Sequence, residues 1–146
     1  MSGIEEKIGY SFSNKKLIET AMNHTSYANE HKGKISNERL EFLGDAILEL
    51  ISSEYIYNMY PNMPEGEMTK TRAYAVCEDS LAIVANRCGF SDFLRVGKCE
   101  NKVNGKYRNS IMADSVEATI GAIYLDSNIE NAKQFILPQI IPQIED

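Results

Sequence analysis

The chain has 146 residues, of which 43% are hydrophobic and 25% are charged, with a formal net charge of −6 and a pI near 5.0. This length and composition are typical of one globular domain. A membrane-spanning protein is excluded because no run of about 18 apolar residues occurs. The N-terminus has no basic region followed by an apolar core, so we expect no secretory signal and a cytoplasmic protein.

Hydrophobic spacing predicts helices through most of the N-terminal half. Asn14 is expected to cap a helix that runs through KKLIETAMNHTS to Ser26. The polar stretch 27–36 is expected to form a loop. Asn37 is then expected to cap a long helix from Glu38 to about Asn58.

The C-terminal half is also predicted to be helical, after Pro61 and Pro64 interrupt the chain. The predicted segments are a helix from about Glu65 to Arg87, a short turn at 91–95, a loop at 96–109, a helix from about Ser110 to Tyr124, and a last helix that Asn128 caps and that Pro138 and Pro142 limit. No segment alternates polar and apolar residues as a strand does. The predicted fold class is therefore all-α.

The stretch NERLEFLGDAILEL at 37–50 combines a helical apolar pattern with an unusual number of acids. A helix turns about 100° per residue, which places its four acids within about 80° of one another. These acids are Glu38, Glu41, Asp45 and Glu49. The opposite side carries the apolar residues Leu40, Leu43, Ile47, Leu50 and Ile51. The helix is predicted to have an apolar back and an acidic front.

The acidic front has two interpretations, a solvated surface or a functional face. Phe42 falls on the acidic side, where it cannot join the apolar core behind the helix. Gly44 and Ala46 are small enough to let another element approach closely. An exposed phenylalanine among carboxylates favours a surface that meets a partner.

A second acidic segment, MADSVEATIGAIYLD at 112–126, places Asp114 and Glu117 on one helix face. The residues around them are almost all apolar or small, so this helix is predicted to be buried on nearly every side. Buried carboxylates are rare unless they are paired or bind metal. An ion pair with a lysine or arginine and a metal site both remain open at this point.

Carboxylates from both segments would form an all-oxygen set of ligands, which suits Mg²⁺ or Mn²⁺. Zinc is disfavoured because the cysteines form no C-x-x-C and the histidines no H-E-x-x-H. Mutual repulsion would protonate some of these acids unless a cation neutralised them. Two divalent ions about 4 Å apart would do so and would suit an in-line phosphodiester displacement.

The stretch NERLEFLGDAILEL resembles the signature of the ribonuclease III family, and the similarity extends along the chain. Three further stretches resemble segments of the same family, namely LIETAMNHTSYANE (17–30), EGEMTKTRAYAV (65–76) and SIMADSVEATIGAIYLD (110–126). The resemblance implies a domain that cuts double-stranded RNA by metal-dependent hydrolysis. The expected products carry 5′-phosphate and 3′-hydroxyl ends with short 3′ overhangs, as in the processing of rRNA and mRNA precursors.

The resemblance also assigns roles to individual residues. Matches to the family's metal-binding carboxylates are Glu41, Asp45, Asp114 and Glu117, of which Asp45 and Glu117 are expected to be catalytic. They would hold Mg²⁺, with Mn²⁺ as a substitute, and orient the attacking water. Glu38 and Glu65 are expected to support the site or contact RNA, and His24 to make a structural hydrogen bond. Glu49 has no counterpart and is expected to be a surface residue.

The family works as a symmetric homodimer with two sites across one catalytic valley, and Phe42 matches the aromatic residue that enters a pocket on the partner. We expect 1–146 to be the nuclease domain alone. The family's C-terminal domain that binds double-stranded RNA is absent, which favours a truncated protein over a naturally short one. Basic residues available for phosphate contact are Lys70, Arg72, Lys98, Lys102, Lys106 and Arg108.

Two other functions compete with the nuclease. A dimeric RNA-binding module that has lost cleavage would be expected to lack one or more of the carboxylates, and none is missing. A Mg²⁺ enzyme acting on a small phosphorylated substrate, such as a nucleotide phosphohydrolase, would need a small pocket lined by lysine or arginine.

Overall fold

The computed structural model describes residues 2–145, over which the chain forms nine α-helices. Their bounds are α1 Ser2–Ile8, α2 Lys15–Ala21, α3 Thr25–Glu30, α4 Glu38–Met59, α5 Glu65–Val76, α6 Glu78–Arg87, α7 Lys98–Lys102, α8 Asn109–Asp126 and α9 Ile129–Glu145. Within this span the only β-type pairing is one isolated parallel bridge between Asn23 and Arg95. The all-α prediction is confirmed. None of the helices described is both long and apolar enough to cross a bilayer.

Helix α8 lies at the centre of the molecule, packed against α4 and α6. Eleven of its residues are buried, from Ile111 to Ile123, which confirms the prediction that this helix is enclosed on nearly every side. Helix α4 buries a single stripe at helical spacing: Leu40, Gly44, Ile47, Leu48, Ile51, Ser52 and Ile56. Leu50 was expected in this stripe, but it is 56% exposed, so that assignment was wrong.

The backbones of α4 and α8 touch where they cross. A Cβ atom added to Gly44 would overlap the carbonyl oxygen of Glu117, and one added to Gly121 would overlap that of Leu40. No residue larger than glycine fits either position without moving one of the helices. The expectation that Gly44 allows close packing beneath the acids is confirmed.

The predicted helix from Lys15 to Ser26 is wrong, because the chain breaks between α2 and α3. Met22 accepts a backbone hydrogen bond from Arg95 N at 2.8 Å, and His24 N donates to the Arg95 carbonyl at 3.0 Å. The His24 ring then caps α3 by accepting from Ser26 N at 3.1 Å, which is the structural role expected for it. Hydrogen bonds to a distant segment end α2, and local spacing does not contain that information.

Three other helix boundaries were also predicted wrongly. The segment from Glu65 to Arg87 forms two helices, because Cys77 is extended between α5 and α6. The expected loop at 96–109 contains α7 and a 3-10 turn at Gly105–Tyr107. Pro138 and Pro142 lie inside α9 and do not limit it. In addition, α1 was not predicted.

Two of the three predicted caps are confirmed. Asn14 accepts from Lys16 N at 3.1 Å, and Asn128 accepts from Asn131 N at 2.8 Å. Asn37 does not cap α4 with its side chain, because its amide donates to the Ala21 carbonyl at 3.1 Å. Asn37 therefore ties the start of α4 to the end of α2.

The contact between α4 and α8 predicts a large cost for a single added methyl group. Gly44→Ala should lower the free energy of unfolding by about 1–3 kcal/mol or more, because the Cβ must displace the α8 backbone. The control is Gly66→Ala in α5, where an added Cβ meets nothing within 4 Å. That variant should be neutral or stabilising by up to about 1 kcal/mol. Urea unfolding of both variants checks this, and equal effects would contradict it.

Candidate metal centre

Carboxylates from α4 and α8 meet in one half-buried cluster. Glu41, Asp114 and Glu117 each offer one carboxylate oxygen, and these three oxygens lie within 4.8 Å of one another. Asp45 is exposed on α4 beside them, and its carboxyl group contributes to the raised pKa of Glu117. We refer to these four residues as the acidic cluster.

Helix geometry explains why the four side chains converge. Glu41 and Asp45 are four residues apart on α4, and Asp114 and Glu117 are three apart on α8, so each pair occupies one helix face. Gly44 brings the two faces together because its missing side chain lets the α8 backbone reach α4 at Glu117. The cluster therefore depends on local spacing within each helix and on close packing between them.

The electrostatics of the acidic cluster favour protonation. The pKa of Glu117 is raised to about 9, chiefly by burial and then by its interaction with Asp45 and the charges of the neighbouring acids. Burial also raises the pKa of Glu41 to about 7, with Asp114 as the next cause. The pKa of Asp114 is likewise raised, chiefly by burial.

No lysine or arginine in residues 2–145 forms an ion pair with any member of the acidic cluster. The alternative in which Asp114 and Glu117 are satisfied by a basic side chain is therefore wrong. Repulsion among carboxylates that lack a counter-charge is relieved by protons or by a cation. Four carboxyl groups without nitrogen or sulfur donors fit a hard divalent cation such as Mg²⁺.

The other predicted acids lie outside the acidic cluster. Glu38 is exposed on α4 and accepts a hydrogen bond from Thr25 Oγ1 at 2.6 Å, and its charge contributes to the raised pKa of Glu41. Glu65 is exposed at the start of α5 and lines a separate cleft. Glu49, expected to be a plain surface residue, pairs with Arg72 at 3.0 Å.

Phe42 is 82% exposed beside an apolar groove of about 740 Å³. The residues that line this groove are Leu17, Thr20, Ile35, Ser36, Glu38, Arg39, Leu40, Phe42, Leu43 and Leu125. The prediction that Phe42 cannot reach the core is confirmed. An aromatic side chain and an adjacent apolar groove on one surface give a face that can pair with a second copy of itself.

Sequence reasoning missed two residues that act on the acidic cluster or its neighbours. Thr25 holds Glu38, and the charge of Glu78 at the start of α6 contributes to the raised pKa of Asp114. Both come from helices distant in sequence from their targets. Only the tertiary packing of α3 and α6 reveals them.

Comparison with known proteins agrees with this fold and site. The family described as Ribonuclease-III-like matches residues 14–144. Ribonuclease 3 of Streptococcus thermophilus is 50% identical over 144 residues, covering 97% of this chain and 63% of the relative. Ribonuclease 3 of Streptococcus pneumoniae strain CGSP14 is 49% identical over 144 residues, covering 97% of this chain and 62% of the relative.

Two solved structures of the nuclease domain of ribonuclease III from Campylobacter jejuni have the same fold. One has a TM-score of 0.91 at 38% identity and covers 99% of this chain and 98% of its own. It is described as showing structural flexibility in the region involved in dimer formation. The other, at 2.2 Å resolution, has a TM-score of 0.90 at 37% identity and covers 100% of this chain and 97% of its own.

Fold and site together define an all-helical domain of the nuclease type with a carboxylate centre. The matches along nearly the whole sequence make the assignment specific: the chain belongs to the ribonuclease III family. It spans about three fifths of the length of the curated relatives it matches, 63% and 62% of the first two.

Proposed function

We propose that this chain is the nuclease domain of an endoribonuclease that hydrolyses double-stranded RNA with the help of Mg²⁺. The observation that carries the proposal is the acidic cluster, in which three carboxylates converge beside Asp45 and no lysine or arginine in residues 2–145 pairs with them. Membership of the ribonuclease III family supports the substrate class and the reaction.

The residues that would hold the metal are Glu41, Asp45, Asp114 and Glu117, and Mn²⁺ would fit the same oxygen donors. When bound, such an ion lowers the pKa of a coordinated water and offsets charge on the phosphate. The protein contributes a rigid frame, since α4 and α8 cannot slide past each other at Gly44. Asp45 and Glu117 form the part of the cluster that we assign to orienting the attacking water.

The products we propose carry 5′-phosphate and 3′-hydroxyl ends, with precursors of rRNA and mRNA as cellular substrates. This assignment rests on the family resemblance. Glu38 is held by Thr25 at the edge of the cluster, a place where it can support Glu41 or contact RNA. Glu65 lines the cleft that also contains Ser53 and is proposed as a second RNA contact.

The competing functions have weaker support. An RNA-binding module without cleavage would have no use for four converging acids whose raised pKa values reflect uncompensated charge. An enzyme for small phosphorylated substrates needs cations around its substrate, and none in the described chain pairs with the acidic cluster. A long duplex, with many phosphates to contact elsewhere, does not need them at the cluster itself.

Replacing one acid of the cluster tests the proposal. Glu117→Gln should reduce cleavage of long duplex RNA by about three orders of magnitude or more, because a metal ligand is lost while the volume is kept. Binding to duplex RNA and the mass of the dimer should remain nearly unchanged. The control is Glu6→Gln, the same substitution at an exposed residue of α1. Cleavage is followed on gels at low salt, with Mg²⁺ or with EDTA.

Normal cutting by Glu117→Gln, or cutting by the unmodified protein in EDTA, would contradict the metal assignment. Failure of the unmodified protein to cut any duplex RNA with Mg²⁺ or Mn²⁺ would contradict the proposed activity itself.

We also propose that the chain forms a symmetric homodimer through the face that carries Phe42. The side chain of Phe42 is almost fully exposed, and the groove beside it offers apolar walls from α2, α4 and Leu125. In a two-fold dimer each Phe42 would enter the groove of the other subunit, so the same contact would occur twice in the interface. Two acidic clusters would then face one valley, and each would cut one strand to leave staggered ends.

Truncating this side chain should weaken the dimer selectively. Phe42→Ala removes an aromatic group from the centre of the proposed interface, which costs about 2 kcal/mol or more, or roughly thirtyfold in the dimer dissociation constant. The control is Tyr57→Ala, which truncates another aromatic residue, 71% exposed and outside the groove. Sedimentation equilibrium checks both variants. An unchanged dimer in Phe42→Ala would contradict the proposed interface.

The assignment of 1–146 to the nuclease domain remains a proposal, as does a cytoplasmic location. The nuclease domain alone is expected to bind RNA weakly and to lose affinity steeply with salt. The exposed basic residues that would supply phosphate contacts are Lys70, Lys98, Lys102 and Arg108. Lys106 is half-buried beside them, and Arg72 has a more specific setting.

A further inference from the structure

Arg72 on α5 is held in a fixed orientation by two residues of α4. Its Nε pairs with the carboxylate of Glu49 at 3.0 Å from Oε2, and its Nη1 donates to Ser53 Oγ at 3.0 Å. The side chain is 37% exposed, so the planar guanidinium is fixed on one edge and open on another. An ion pair with an acid as exposed as Glu49 contributes little to stability, so its main physical effect is orientation.

The two holding residues are rotated from Asp45 by about 40° and about 80° around α4, so they lie beside the face that carries the acidic cluster. Glu49 and Ser53 follow Asp45 by four and eight residues, which corresponds to one and two turns. With a rise of 1.5 Å per residue, the guanidinium lies at a level roughly 6 to 12 Å beyond Asp45 along the helix. An RNA strand that crosses the cluster along α4 therefore passes Arg72 within a few nucleotides.

A small cleft opens beside the guanidinium. Its volume is about 210 Å³, and its lining residues are Ser53, Ile56, Glu65, Met68, Thr69 and Arg72. A cleft of this volume can hold a single group of a polymer, such as a backbone phosphate, but is too small for a whole nucleotide. Arg72 is the only cation among the described residues that line the cleft, and the carboxylate of Glu65 repels anions from its own part of the wall.

The guanidinium retains donors for a ligand. Arginine has five N–H groups, of which one on Nη1 donates to Ser53, while Nε faces the carboxylate of Glu49. Over residues 2–145 the structure records no hydrogen bond from the other three. A planar donor that is already oriented loses little freedom when it binds an oxyanion, and it matches the geometry of a phosphate.

We propose that Arg72 binds a backbone phosphate of the RNA strand a few nucleotides from the cleaved bond, and that this contact sets the register of the duplex over the acidic cluster. The inference rests on the proposed function, because it needs a duplex lying along α4. Arg72 is a binding and positioning residue in this scheme. Glu49 and Ser53 orient it, and Glu65 confines the phosphate to the cationic end of the cleft.

The salt dependence of RNA binding distinguishes a phosphate contact by Arg72 from a purely structural role in holding α5 against α4. Binding of a short RNA duplex is measured over a range of KCl in the Glu117→Gln protein, which does not cut. Adding Arg72→Met should lower affinity about tenfold and reduce the slope of log K against log salt by about one per subunit. The cleavage sites of the Arg72→Met protein with an intact acidic cluster should also scatter to neighbouring positions.

The matched control is Lys133→Met. Lys133 on α9 also pairs with an acid of α4, Glu54, at 3.3 Å, and its exposure is similar at 35%. Because this pair lies outside the cleft, Lys133→Met should leave the salt slope and the cleavage positions unchanged. Arg72→Lys keeps the charge but loses the planar fork, so its salt slope should persist while its cleavage positions scatter. This variant carries the test if Arg72→Met does not fold.

Arg72→Met could change the thermal midpoint of the protein while its salt slope and cleavage positions stay as in the unmodified protein. That result would show a purely structural role for Arg72 and would overturn the inference. An equal loss of slope in Lys133→Met would overturn it as well, because any cation would then suffice. Failure of the Glu117→Gln protein to bind duplex RNA at low salt would instead overturn the proposed function.

Discussion

The backbone contact between α4 and α8 is the constraint on which the rest of the structure depends. Gly44 and Gly121 leave no room for a side chain at the crossing, so the two helices meet at the closest approach their backbones allow. That approach is what brings acids from two distant parts of the sequence within ligand distance of one another. A wider crossing would leave four separate, solvated carboxylates and no site.

Close packing also makes the acidic cluster electrostatically unfavourable in the absence of a cation. Half-burial and mutual repulsion raise the pKa values of Glu41 and Glu117 toward and above neutrality. In the described chain no lysine or arginine pairs with these groups, whereas other acids such as Glu5 and Glu49 are paired. Clusters of like charge without a counter-charge are typical of functional sites, because a bound cation replaces the repulsion between the carboxylates with attraction.

Local sequence patterns predicted the parts of this arrangement that depend on helical spacing alone. The shared face of the α4 acids, the enclosed α8 and the awkward position of Phe42 all follow from a period of 3.6 residues. The end of α2 and the hydrogen bonds made by Thr25 and Arg72 could not be predicted in this way. Each depends on a partner at least ten residues away or on tertiary packing that overrides local propensity.

The most direct test of the central claim is to locate a bound ion. Crystals soaked in Mn²⁺ should give an anomalous difference peak between the carboxylates of Glu41, Asp114 and Glu117, with Asp45 alongside. The same peak should be absent from crystals of Glu117→Gln soaked in the same way, since one of its oxygen ligands is gone. A Mn²⁺ peak only elsewhere on the surface, or an acidic cluster whose side chains pair with lysine or arginine, would contradict the account.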